Sequence, residues 1–500
     1  MRIRANLFMI FYILLFCGQG AEVEAREWEI LGPRALGMGG ASVAVADDAT
    51  ANYWNPAAYG FFKNASGGDY GKRKWSLLIP DAGVGTEVHE GLGEEINKIS
   101  KYDFKVLSSP PLTPAQVKDF IGLINELKVF NDNPNRSAEV LAHAGIGGEV
   151  GHFGIGLNVF SDLSAVPQID LINISPSSTG STFTIDDFTN PTNYGCPAPC
   201  NTPSGTLSGA QRTELNASLT SLGWNATQTN NFIYAMDYGL TQAGVTATSE
   251  TITQIETTAS VATATANSGG TFSNNTSRLL IKGLAVAEVP FTYGRAITED
   301  FAVGGNLKYM RGRAYHAAPR VFNNKLGDAL NGNDYVESST VGIDLGLLYR
   351  FGDKLRAGLT ARNINSPSFA LKPLPEDGTD SIAEQMQVRA GLLYKPLSFL
   401  RLAADIDLTR NNTNITGNYK SQNVGGGLEL SLFKFLLLRG GAYTNLAQSD
   451  IGLVYTAGLG INLWLLQLDI GAAMAKNTTQ IDTQSVPVES KVDFSLSMLF

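Results

Sequence analysis

The 500 residues carry 37 Lys+Arg against 46 Asp+Glu, a formal net charge of −9. An acidic chain with no basic block is ill suited to a phosphate backbone, so no nucleic-acid partner is expected. Charged residues are only 17% and glycine fills 53 positions, against about 25% and about 7% in ordinary soluble domains. Such a balance disfavours a cytosolic enzyme and fits apolar residues spread thinly over many strands.

In chain order, Arg2 and Arg4 precede an apolar run from Leu7 to Phe16, and small and polar residues follow as far as Ala25. This has the form of a secretory signal peptide over 1–25. The run is too short for a membrane-spanning helix of about 20 residues, and the bulky Phe16 before Cys17 argues against lipidation. Export agrees with the remaining cysteines, Cys196 and Cys200, in Gly-Cys-Pro-Ala-Pro-Cys-Asn. A metal would need two more ligands nearby. A local disulfide is the expectation.

Next comes Gly32-Pro33-Arg34-Ala35-Leu36-Gly37-Met38-Gly39-Gly40, then an apolar stretch over 41–46 expected as a short strand. Asp47-Asp48 and Asn55-Pro56-Ala57 follow, each pair reading as the cap of a helical turn. Compact and mostly uncharged, the segment 26–66 is suited to folding inward as a plug.

The rest of the chain, 67–500, is assigned to a barrel, and from about residue 279 onward it alternates with period two. Val492, Phe494, Leu496 and Met498 are apolar around Asp493, Ser495 and Ser497; Ala404, Ile406 and Leu408 alternate with Asp405 and Asp407. Period two with one apolar face means strands that are greasy on one side and wet on the other. Fourteen are expected, near 73–81, 139–147, 151–160, 279–294, 300–314, 337–350, 353–364, 384–395, 398–409, 422–431, 434–445, 452–463, 465–474 and 490–500. Many approach the 9–11 residues of a tilted bilayer-crossing strand, and aromatics such as Tyr349, Phe351, Phe399, Phe433 and Trp464 gather at the short turns. Short and long links alternate. The fold class is therefore an all-β transmembrane protein: a fourteen-stranded antiparallel outer-membrane β-barrel with an N-terminal plug and helical or irregular insertions in its long loops. A strand ending on Phe500 is the kind of C-terminus recognised by the outer-membrane barrel assembly machinery, an expected partner beside the lipid bilayer.

Two insertions interrupt the pattern. In 82–138, Thr113-Pro114-Ala115-Gln116 predicts a capped helix over about 114–130. The stretch 161–278 is rich in Ser, Thr and Asn, with helical runs near 208–220 and 227–240, while 245–267 is open between helix and irregular chain. With few large apolar residues, these are expected as loops or mouth-covering helices, not as a unit with its own core.

The segment Ala-Leu-Gly-Met-Gly-Gly-Ala…Asp-Asp-Ala-Thr-Ala…Asn-Pro-Ala resembles the hatch of the FadL family of outer-membrane transporters for long-chain fatty acids and other hydrophobic compounds. Leu348-Tyr349-Arg350, Ala361-Arg362-Asn363-Ile364-Asn365-Ser366-Pro367 and Leu402-Ala403-Ala404-Asp405-Ile406-Asp407-Leu408 resemble a neighbouring group, the conjugal transfer protein TraF-like barrels. The resemblance implies a hatch including Arg34, Gly37, Gly39, Gly40, Asp47, Asp48, Asn55, Pro56 and Ala57. It also implies passage of a hydrophobic ligand beside the hatch and sideways release where a kinked strand leaves the wall.

On the barrel, a two-residue turn at Gly147-Gly148 would set His143 opposite His152, both facing the lumen. A metal site needs at least one further ligand, so a polar lumen wall is the expectation, with no metal or other cofactor. Arg356, Arg362, Arg389, Asp405, Asp407 and Arg439 also fall on the lumen phase. Mixed signs there serve first to satisfy one another. His89 and His316 fall in connections with no evident partner. No nucleophile elbow, zinc-protease helix or phosphate loop is present, so an enzyme is not expected. The leading reading is passive uptake of hydrophobic or amphipathic small molecules, gated by the hatch. The alternative is a non-transport docking barrel of a conjugation or surface-export apparatus.

Overall fold

The computed structural model describes residues 26–61, 75–103, 112–174, 183–270, 274–321, 335–375, 378–415, 419–433 and 435–499. The expected signal peptide, the plug beyond residue 61 and Phe500 lie outside the described residues.

Fourteen strands form a closed antiparallel barrel. They are β1 (Trp75–His89), β2 (Ser137–Val150), β3 (Phe153–Gln168), β4 (Arg278–Ala296), β5 (Phe301–Ala317), β6 (Tyr335–Phe351) and β7 (Leu355–Arg362). The circuit continues through β8 (Gln387–Leu397), β9 (Leu400–Asp407), β10 (Asn423–Leu432), β11 (Leu436–Asn445), β12 (Leu453–Leu463), β13 (Leu466–Ala475) and β14 (Glu489–Leu499). Closure comes from β1 pairing with β14, as in Gly83↔Asp493. Links after even-numbered strands are tight, such as 151–152 and 464–465, and links after odd-numbered strands are long.

Burial decides which face meets lipid. On β14, Val492 is 51% and Phe494 39% exposed, whereas Asp493 between them is 1% exposed. A soluble sandwich would bury the valine and show the aspartate to water; here the order is inverted, as in a membrane barrel. Trp464, 94% exposed in its turn, belongs to the aromatic belt. Among the described residues no helix is long and apolar enough to cross a membrane.

Two strands run well past their expected ends. β1 runs on to His89 and β3 to Gln168, so neither insertion begins where expected. Proline at position 80 masked the first: Ile79-Pro80 forms a bulge, with the register shifting between Leu78 and Asp81 toward both neighbours, since proline has no N–H for the ladder. The β2–β3 turn is Gly151-His152, not Gly147-Gly148. His143 therefore pairs with Phe160 instead of His152, and Gly151 supplies the positive φ of 64°.

The insertions also differ from expectation. Helices α1 (Leu92–Ile99) and α2 (Pro114–Asp132) from the first join α3 (Gly209–Ser221), α4 (Ala226–Gln242) and α5 (Ser249–Ser268) from the second. Val117, Ile124, Leu215, Phe232, Met236 and Ile255 meet in one apolar core. The expectation that the insertions lack a core of their own therefore fails: the second supplies Trp224, Phe232 and Met236, and the first adds Val117 and Ile124. The open stretch 245–267 is mostly helix α5, and Cys196 and Cys200 are disulfide-bonded. Burial pushes the Tyr194 phenol well above its usual range, and its hydroxyl donates to the Phe188 carbonyl at 2.5 Å. The Asp237 carboxylate, wholly buried, accepts from Ser204 N at 2.8 Å and Leu207 N at 2.7 Å. These helices form a cap at the end of the long links.

Candidate functional site

The lumen holds residues 26–61. Side chains of this hatch (Trp28, Leu36, Met38, Trp54 among them) share a core with inward-facing Phe160, Leu284, Val286 and Met310 of the wall. The interior is thus apolar in its middle, not uniformly wet as the period-two reading implied. The stretch 41–46 is not a strand. No neighbour offers it a ladder; Ser42 N and Val43 N instead donate to one oxygen of Asp405 at 2.7 and 2.9 Å.

Close approach is set by glycine. Gly39 has φ +67°, and a Cβ there would fall 2.5 Å from the carbonyl oxygens of Ala442 and Gly426. Wall glycines reciprocate: a Cβ on Gly425 would fall 2.0 Å from Gly39 O. Gly37 lies against Gly458, and Gly40 (φ +77°) against Ile30. Glycines at these positions thus let the hatch and wall backbones touch.

Charges tie the hatch to the wall. Arg34 donates to Asp47 at 2.9 Å and to Glu429 at 3.1 Å. Glu429 also receives Arg439 at 2.8 Å and pairs with Arg401, and Arg439 continues to Asp469 at 2.5 Å. Arg389 makes a two-pronged pair with Asp407, at 2.5 and 3.1 Å, and its guanidinium lies 4.6 Å from the Trp28 ring centroid. Arg362 reaches Glu288 at 3.2 Å and covers the Tyr53 ring at 3.9 Å. Arg356 is buried on β7, in register with Arg350. Asp48 accepts from Thr50 N at 2.9 Å. Asn55 accepts from Ala57 N at 3.1 Å and donates to Leu347 O on the wall at 3.0 Å. Pro56 and Ala57 press on Gly304 and Gly346.

The two sequence-predicted histidines separate. His152, in the β2–β3 turn, faces the Tyr59 carbonyl at 3.0 Å. His143 is buried beside Glu29 of the hatch, Asp81 of β1 and Asp493 of β14. The partnerless reading of the other two fails. His89 ends β1 among Glu87, Glu139 and Asp450, and His316 lies on β5, 2.8 Å from Lys372 O. Sequence reasoning missed Arg26, which joins Glu384 at 2.8 Å and Glu288 at 3.1 Å. The available signal was Glu288 itself, a lone acid in phase with Leu284 and Val286.

These features define a barrel whose lumen is filled by its own N-terminal segment. Residues 52–407 match the family model described as "F plasmid transfer operon, TraF, protein". The chain belongs to this family. No curated protein matches it in sequence. Among solved structures, this TraF-family barrel is similar to the CymD monoaromatic hydrocarbon channel, with TM-score 0.44 and 11% identity over 95% of this chain and 99% of that one. It is also similar to the toluene transporter TodX of P. putida, with TM-score 0.43 and 11% identity over 95% and 99%. A Pseudomonas aeruginosa FadL homologue gives TM-score 0.41 and 9% identity over 94% and 98%.

Proposed function

We propose that the chain is a channel of the bacterial outer membrane for passive uptake of hydrophobic or amphipathic small molecules, with residues 26–61 as its gate. The observation that carries this reading is the hatch in the lumen. It is continuous with the wall through one connection and otherwise held by hydrogen bonds, ion pairs and apolar contact, all of which can be exchanged without breaking a strand ladder. A filled lumen disfavours a general aqueous pore. The apolar middle of the lumen, around Phe160, Val286 and Met310, offers a greasy molecule a surface once the hatch shifts. The bulge at Ile79-Pro80 is the wall position we assign to sideways release.

With the short turns set at the periplasm, as in outer-membrane barrels, the cap stands outside. The test uses proteoliposomes and two labelled probes, toluene and a long-chain fatty acid. Wild-type protein is expected to speed entry over protein-free vesicles. A Ser42→Cys, Asp405→Cys pair, oxidised to lock the hatch, is expected to abolish it, with recovery on reduction. Entry unaffected by the lock overturns the gate. Absence of entry, together with a stable protein complex that requires residues 169–277, makes it a docking barrel instead.

A further inference from the structure

We propose that Asp81, His143 and Asp493 form a binding site for one divalent cation of the zinc type, with Glu29 of the hatch positioning the imidazole. The site is independent of the uptake reading.

The three wall residues come from adjacent strands. Gly83 of β1 is in register with His143 of β2 on one side and Asp493 of β14 on the other, and Asp81 lies two residues before it. Gly83 gives them room, since a Cβ there would fall 2.5 Å from His143 Cε1 and 3.1 Å from Asp493 Cγ. His143 Nε2 stands 3.2 Å from Asp493 Oδ2 and 3.7 Å from Asp81 Oδ1. One donor atom from each of the three residues lies within 4.8 Å of the others. In a tetrahedral zinc site with bonds of about 2.0–2.1 Å, neighbouring donors are about 3.3 Å apart. The cluster is therefore near the size such an ion needs, with a fourth position left for water.

Charge and hydrogen bonding point the same way. Asp81 and Asp493 are 0% and 1% exposed, and none of their four carboxylate oxygens has a hydrogen-bond partner among the described residues. His143 Nε2 likewise has none. Two buried carboxylates facing one imidazole cannot both stay ionised unpaired in a dry interior, so the cluster must take up either a proton or a cation. Glu29 Oε1 lies 3.1 Å from His143 Nδ1. A carboxylate there accepts a hydrogen bond from Nδ1–H, which fixes the tautomer that leaves the Nε2 lone pair facing the two aspartates, the usual outer-shell support of a metal-bound histidine. The second cluster, Glu87, His89 and Glu139, differs: Lys491 already stands 2.7 Å from Glu87.

The position gives the ion a structural consequence. It would join β14, β1 and β2 directly beside the Ile79-Pro80 bulge, and reach the hatch through Glu29.

The test is zinc titration of the purified full barrel in detergent, stripped with a chelator, against a competing chromophoric chelator, with elemental analysis for stoichiometry. Heat-modifiable gel mobility confirms that each variant is folded. Wild type is expected to take one zinc per chain, and His143→Ala and Asp493→Asn are expected to lose it. His152→Ala is expected to retain it, and Glu29→Gln to weaken it by about 10–100-fold. Wild type taking no more zinc than His143→Ala overturns the proposal, as does a loss seen with His89→Ala and not with His143→Ala. Should Asp493→Asn fail to fold, X-ray absorption on zinc-loaded wild type decides: one nitrogen with oxygens near 2.0 Å supports the site, and any sulfur or several imidazoles overturns it.

Discussion

The hatch and the cap are both made from chain that is not barrel, yet they are held in opposite ways. The hatch has 36 described residues and no core apart from the barrel: its tryptophans and Met38 pack on wall residues, and its arginines end on wall carboxylates. The cap owns a separate apolar core and closes its helices with its own capping boxes, at Thr113, Ser208, Asn225 and Thr248. A segment that borrows its core exists as a folded object only inside the wall, so its position and its fold are one equilibrium. A segment with its own core can stay folded while its attachment changes. Displacing the hatch therefore costs its fold, whereas the cap keeps its fold whatever the hatch does.

The sharpest way to break that contrast is to remove each part in turn. Deleting residues 26–61 is expected to turn a nearly silent protein into a conducting pore in planar bilayers, because those residues supply most of the apolar packing inside the wall. Replacing 183–268 with a short linker is expected to leave conductance near the wild-type level. Equal conductance increases in the two would end the distinction.

Next in size is Arg26→Ala. Arg26 lies among Glu29, Glu288 and Glu384 at 3.7, 3.1 and 2.8 Å, and its removal leaves three carboxylates in a buried site with one cation fewer. Breaking a buried pair from one side costs about 3–5 kcal/mol. The expected outcome is a loosened hatch, read as protease sensitivity of residues 26–61 and as intermittent conductance, with the barrel's gel mobility unchanged. Phe232→Ala should cost a comparable amount, about 3–5 kcal/mol, but in the cap: a lower-temperature calorimetric transition for the helices and no change in conductance.

The sequence was informative where a local period carries the structure. Asp493 between Val492 and Phe494 announces a strand and its lipid face from three residues, and Thr113-Pro114 with Gln116 announces the start of α2. It was silent wherever partners are far apart. Arg26 and Glu384 are 358 positions apart, and nothing near either one names the other. The same reason hid Asp81 and Asp493 from His143, since only closure of the barrel by β1 and β14 brings them together. Pro80 hid the outer half of β1, because a bulge suspends the alternation for two residues. The cap core was missed because each insertion was weighed by itself, while the core needs Val117 and Ile124 from one and Phe232 and Ile255 from the other.

The smallest effect tests whether the cap is self-supporting. Thr113 accepts from Gln116 N at 3.4 Å, and its own N–H donates to Gln116 Oε1 at 2.7 Å, closing the first turn of α2. Thr113→Ala removes the first of these bonds and should cost about 1 kcal/mol. In a unit of roughly 60–100 residues that is a fall of about 4–8 °C in the midpoint of its own transition. If the cap folds on its own core, the fall is confined to the helical transition, and neither hatch protection nor the barrel's melting moves. If the helices are instead held up by the strands beneath them, the loss is shared with the far larger barrel and no separate shift appears. The second result would place the cap in the same class as the hatch, as chain that is ordered only by the wall.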